Sequence, residues 1–135
     1  VIRALEVSIQ SKKPYSSFLG KKHPSKYNHV SIALNDERSN IHNLINDRVD
    51  LMLKNGLLNE AEQLHKYSHL NTLNTVGYKE LFNYLDGKVS KVDAVEHIKR
   101  NTRRFAKKQI TWLNNNGKHH WFNPNDSFDD IKRVL

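Results

Sequence analysis

The sequence predicts a mainly α-helical fold carrying one or two short strands, and three patterns lead there. From Asp93 to Leu113, Val95, Ile98, Thr102, Phe105, Gln109 and Leu113 recur at three- and four-residue steps, and Ala106 and Ile110 widen the stripe. That is the period of an amphipathic helix. A second stripe, Ile41, Leu44, Ile45, Val49, Met52 and Leu53, stops at Gly56, a residue suited to a helix C-terminus. Val30, Ile32 and Leu34 alternate with His29, Ser31 and Ala33, which is strand spacing.

The remaining elements follow in order. Ile2, Leu5 and Ile9 share one helical side, and Lys12, Lys13 and Pro14 end that helix near Ser11. Tyr15 to Leu19 forms one more turn before a basic loop, Gly20 to Lys26. Asn35 and Asp36 close the strand and open the helix that ends at Gly56. Leu57 to Tyr67 is a shorter helix that makes a hairpin with it, and Ser68 to Thr75 is polar and turn-like. Val76 to Leu85 is helical and stops at Asp86-Gly87. Ser90 caps the long helix with Asp93 at its third position, as in a capping box with Asp replacing Glu. Asn114 to Gly117 end that helix, Trp121 and Phe122 read as a second short strand, and Ser127 to Leu135 as a terminal helix.

A chain of 135 residues with 37% hydrophobic content suits one domain with a modest core. It has no cysteine, hence no disulfide framework and no thiolate metal site, which fits a reducing, cytoplasmic setting. No apolar run is long enough to span a bilayer, and 1–10 lacks the features of a signal peptide. A start at Val1 reads as part of a longer protein.

The charge is the functional signal. Lys and Arg number 22 against 14 Asp and Glu, a net charge of +8. Arg100, Arg103, Arg104, Lys107 and Lys108 fall at i, i+3, i+4, i+7 and i+8, so their like charges stack along one side of the helix at a cost in stability. From His97 to Asn125 there is no acid, while seven Lys or Arg occur. A polyanionic partner accounts for such a face; a solvated surface helix is the other reading.

Other chemistry is poorly supported. Neither G-x-x-x-x-G-K-[ST] nor G-x-G-x-x-G occurs, so no phosphate-cradling loop is encoded. His119 and His120 would point to opposite faces of a strand. His65 and His69 lack a neighbouring carboxylate in the sequence and read as surface residues of a helix end. No nucleophile-and-base grouping has a local signature. Arg48, in INDRVDLM, reads locally as a surface arginine paired with Asp47 or Glu37. Tyr78 after Gly77 suits either base stacking or the core, and Trp112 reads as core.

RALEV (Arg3 to Val7), INDRVDLML (Ile45 to Leu53), GLLNEAEQL (Gly56 to Leu64), VGYKEL (Val76 to Leu81) and IKRNTRRFAKKQITWL (Ile98 to Leu113) together closely resemble tRNA dimethylallyltransferase, from Val1 to about Phe122. The resemblance implies a monomeric enzyme that moves a dimethylallyl group from dimethylallyl diphosphate to N6 of the adenine 3′ to certain anticodons, with Mg²⁺. It further implies that this chain is the C-terminal part of a P-loop-type α/β transferase. The P-loop, the catalytic aspartate, the insert that grips the anticodon loop and most of the parallel sheet would precede Val1, so 1–135 would form one tRNA-binding helical segment, inactive alone. No catalytic or metal residue is then expected here. Arg48 matches the family's diphosphate-side arginine. The tRNA contacts carried over are Arg3, at the tail of a Gln-Arg-x-x-Arg motif; Asn74, Thr75, Val76, Gly77, Tyr78 and Lys79; and Lys107 to Asn114, with Gln109 and Thr111 among them. The family often has a basic residue where Asn114 stands, which weakens that one contact. Arg100, Arg103, Arg104 and Lys108 join through the cationic face. Two alternatives remain: a free-standing, non-catalytic RNA-binding module, and a helical DNA-binding domain without helix-turn-helix spacing.

Overall fold

Val49, Leu57, Ala61, Leu81, Phe82 and Ile98 form one buried cluster, and the helices that carry them define the architecture. In the computed structural model, which describes residues 2–19 and 26–134, α1 (Ile2–Ser11) leads through a 3₁₀ turn (Tyr15–Phe18) to β1 (Ile32–Leu34). Four helices follow: α2 (Arg38–Lys54), α3 (Leu57–Leu64), α4 (Tyr78–Leu85) and α5 (Lys91–Asn115). β2 (His120–Phe122) and α6 (Phe128–Lys132) complete the chain. The basic loop expected at 20–26 lies, except for Lys26, outside the described residues.

Burial of apolar area drives this packing. α5 lies against both α2 and α4 and contributes Ala94 and Ile98, while Leu81 of α4 is completely buried. Gly56 separates α2 from α3 at φ 101°, a left-handed conformation that only glycine takes at no steric cost, and this turns the two helices into a hairpin.

β1 and β2 pair in parallel, with Ile32 beside His120, Ala33 beside Trp121 and Leu34 beside Phe122. The ladder is shorter than the alternation from His29 promised, because β2 offers only three residues. Its buried position is Ala33, whereas Ile32 and Leu34 stay exposed.

Several boundaries move for local reasons. The expected helix from Val76 begins at Tyr78, since Gly77 has φ 109° and ψ −70° and stands outside the helix. α3 gives way after Leu64 to 3₁₀ turns at His65–Tyr67 and Asn71–Leu73. The terminal helix is confined to 128–132. Ser90 caps α5 by accepting the Asp93 N–H at 3.1 Å, but the Asp93 carboxylate accepts from the Ser90 hydroxyl at 2.7 Å and not from the backbone N–H. An aspartate is one methylene shorter than the glutamate of a full capping box.

The long stripe of α5 is buried only in its first half. Phe105 is 56% and Trp112 61% exposed, which corrects the core reading of Trp112. The buried cluster takes only Ile98 from α5, with Val95 packed against it. His65 is also corrected. Its Nε2–H donates to Asp86 at 2.8 Å and its ring tilts against Phe82 at 5.5 Å, so a carboxylate distant in sequence supplies its partner.

Candidate nucleic-acid interface

The cationic stripe of α5 becomes one wall of a hollow. Arg100, Arg103, Arg104, Lys107 and Thr111 face Arg38 and His42 from the first turns of α2 across a cavity of about 580 Å³, with Ile41, Ala106 and Ile110 as apolar lining. Helical spacing fixes the α5 residues on one side. Packing of α5 on α2 brings Arg38 opposite them.

Two polar contacts hold that packing. Arg103 Nη1 donates to Asn46 Oδ1 at 2.7 Å, and Lys99 Nζ reaches Asp50 at 2.8 Å. Lys99 is thereby spent on a carboxylate. Among the described residues, Arg38, Arg100, Arg103, Arg104, Lys107 and Lys108 form no ion pair. No carboxylate among the described residues neutralises their charge, and for those that line the hollow a concave, partly apolar wall would strengthen attraction to phosphate oxygens.

One acid stands at the rim. Asp36 Oδ1 accepts from the Glu37 backbone N–H at 2.7 Å, from Asn40 Nδ2 at 3.2 Å and from Asn123 Nδ2 at 3.1 Å. These bonds, the Glu37 N–H foremost, stabilise the carboxylate and hold its pKa below the usual value. It links the end of β1, the start of α2 and the chain after β2.

The 74–79 segment borders a second hollow, of about 360 Å³, through Asn74 and Lys79. Thr75 and Val76 are exposed and Gly77 is buried. Tyr78 is half-buried; its ring stacks on Phe82 at 6.1 Å and its hydroxyl donates to Glu60 at 2.6 Å. That hydrogen bond, followed by burial, raises the phenol's pKa.

Neither hollow is lined by Arg3, Arg48, Lys108 or Gln109. Arg3 pairs with Glu6 at 3.3 Å on α1. Arg48 is exposed on α2 and makes no ion pair among the described residues, so the expected alternative of a bridge to Asp47 or Glu37 is not formed. His119 is occupied structurally: Nε2–H donates to the Leu113 carbonyl at 3.1 Å, leaving Nδ1 to accept from Ser31 at 2.7 Å. Among the described residues no three His, Asp or Glu side chains converge to hold a metal, and no helix is long and apolar enough to cross a membrane.

Sequence reasoning missed Arg38 and His42, whose role depends on α2 meeting α5. It also missed Glu80, which is 5% exposed. Gly77 followed three residues later by Glu80 is capping-box spacing and was a visible signal.

Comparison with known proteins gives a consistent set. The model of the family described as IPP transferase matches residues 1–116. A tRNA dimethylallyltransferase of Christiangramia forsetii is 47% identical over 140 residues, covering 100% of this chain and 46% of that protein. One of Flavobacterium johnsoniae is 46% identical over 132 residues, covering 97% and 43%. The crystal structure of a tRNA delta(2)-isopentenylpyrophosphate transferase from Staphylococcus epidermidis superposes with a TM-score of 0.74 at 33% identity, over 97% of this chain and 45% of that one. A full-length tRNA isopentenylpyrophosphate transferase from Bacillus halodurans gives 0.72 at 33% identity, over 93% and 47%. The chain thus spans less than half the length of these relatives.

Proposed function

This chain belongs to the IPP transferase family, and from that premise we propose that it is the tRNA-gripping helical segment of a tRNA dimethylallyltransferase. The observation that carries this reading beyond family membership is the cavity where Arg38 of α2 and four cations of α5 converge with no acid paired to any of them among the described residues. The proposed reaction joins N6 of the adenine 3′ to the anticodon to the allylic carbon of dimethylallyl diphosphate. The carbon–oxygen bond breaks, diphosphate leaves with the electron pair, and N6 gives up a proton. An adenine stacked in the anticodon loop must first be turned out, at a cost of a few kcal/mol that backbone contacts offset. The cationic wall of α5, the 74–79 segment and Arg3 supply those contacts. Arg48 serves the diphosphate, whose growing negative charge a guanidinium stabilises.

In this reading, which rests on the family resemblance, Mg²⁺ and the catalytic base belong to residues outside this sequence. When bound, Mg²⁺ would neutralise charge on the leaving diphosphate. The enzyme acts as a monomer in the cytoplasm. The test is prenyl transfer to an anticodon stem-loop by the enzyme at its natural full length. Transfer abolished by replacing the target adenine supports the reading. A protein that binds the stem-loop but turns over no dimethylallyl diphosphate would instead be the non-catalytic RNA-binding module.

A further inference from the structure

We infer that Glu80 is a positioning residue that locks the 74–79 segment and the cationic face of α5 into one register, so that both grip the same RNA together. The inference rests on the functional reading above. Glu80 is buried, yet it has no ion-pair partner among the described residues. Its two oxygens serve two different elements. Oε2 accepts the Gly77 N–H at 2.8 Å, and Oε1 accepts from Asn101 Nδ2 at 2.8 Å. Asn101 in turn accepts from Arg104 Nη1 on the next turn of α5, at the long distance of 3.5 Å. A hydrogen-bonded path therefore runs from the backbone of one proposed RNA contact to the guanidinium of the other.

A helix cap alone does not call for this arrangement. Ser90 and Ser127 cap α5 and α6 from the surface with hydroxyls. A buried carboxylate is costly unless hydrogen bonds replace its water, and here one of those bonds comes from a separate helix. Gly77 makes the link directional. With φ 109° it takes a turn that side-chain-bearing residues avoid, so fixing its N–H fixes how Thr75 and Lys79, joined by their own backbone bond at 3.1 Å, stand relative to Arg104.

The experiment uses the full-length enzyme and tRNA. Asn101→Ala cuts the link and leaves the Gly77 cap intact. It should raise KM for tRNA about tenfold, the scale of one charge-assisted hydrogen bond, with kcat and the donor KM within about twofold. Glu80→Gln keeps the shape and the Gly77 bond, but its amide N–H2 meets the Asn101 Nδ2 donor, and a flipped Asn101 would turn that donor toward Arg104. Its tRNA KM should therefore rise about as far as in Asn101→Ala, and Glu80→Ala should raise it at least as far. A double-mutant cycle on Lys79→Ala and Arg104→Ala should show non-additive losses of tRNA affinity that become additive once Asn101 is alanine. Asn101→Ala that lowers Tm but leaves tRNA KM and the Lys79–Arg104 coupling unchanged overturns the inference and leaves the functional reading standing. Wild-type enzyme that retains no tRNA overturns both.

Discussion

Arg103 on α5 donates to the Asn46 side chain on α2 at 2.7 Å, so one cation of the stripe is anchored while its neighbours Arg100, Arg104 and Lys107 are exposed. The stripe is thus divided between a cation that holds the helix and cations left facing outward. For the full-length enzyme binding tRNA, each phosphate contact removed should flatten the slope of log affinity against log salt by about 0.7 to 0.9. Reversing Arg100, Arg104 and Lys107 one at a time should each do so with little change in thermal stability. Arg103→Ala should lower the melting temperature as well, because Asn46 loses its partner. Salt titrations with slopes unchanged in all three reversals would return the face to a solvated surface.

The core makes a separate demand. Leu81 is fully buried among Val49, Leu57, Ala61, Phe82 and Ile98, where four helices meet. Leu81→Ala removes buried methyl groups and leaves a cavity, so it should cost about 2 to 5 kcal/mol. Urea unfolding measures this directly. A loss under about 1 kcal/mol would mean that the helices collapse to refill the site.

How far the sequence could be read follows from where each signal resides. α2 and α5 were legible because each buries one face at the helical period, as Val49 and Ile98 do, and Gly56 and Ser90 mark their ends through local backbone chemistry. The burial of α5's second half was not legible. Spacing says which residues share a face but not which part of that face is covered, and so Trp112 was misplaced. The pairing of Ala33 with Trp121 depends on four intervening helices. Arg38 entered the cavity for the same reason: a groove between two helices leaves no pattern in either. Glu80 differs, since its spacing from Gly77 was local, while its second partner Asn101 was not.

Asp36 gives the site a pH signature. Hydrogen bonds from Glu37, Asn40 and Asn123 lower its pKa in the fold below the ordinary 3.8. A depressed carboxyl pKa contributes stability that is fully present above the unfolded value and is lost as pH falls through the folded value. The melting temperatures of wild type and Asp36→Asn should therefore differ most above pH 4 and converge below it. A gap that persists at lower pH would show that the geometry of the Asx contact, and not its charge, joins β1 to α2.

The last prediction concerns Arg48. It is exposed on α2, pairs with no acid among the described residues and stands outside both hollows, so nothing in its surroundings requires an arginine for stability. If its guanidinium holds the diphosphate, the planar fork makes paired hydrogen bonds that a lysine cannot copy. Arg48→Lys in the full-length enzyme should then impair use of dimethylallyl diphosphate and leave tRNA affinity nearly constant. A charge-assisted contact is worth about 1.5 to 3 kcal/mol, so Arg48→Ala should lower kcat/KM for the donor by roughly one to two orders of magnitude. The melting temperature should stay within about 1 °C, as expected for an exposed side chain without a partner. Weakened tRNA binding with unchanged donor kinetics would move Arg48 to the RNA contacts. A fall in melting temperature with both substrates unaffected would give it a role in packing α2 against the rest of the enzyme.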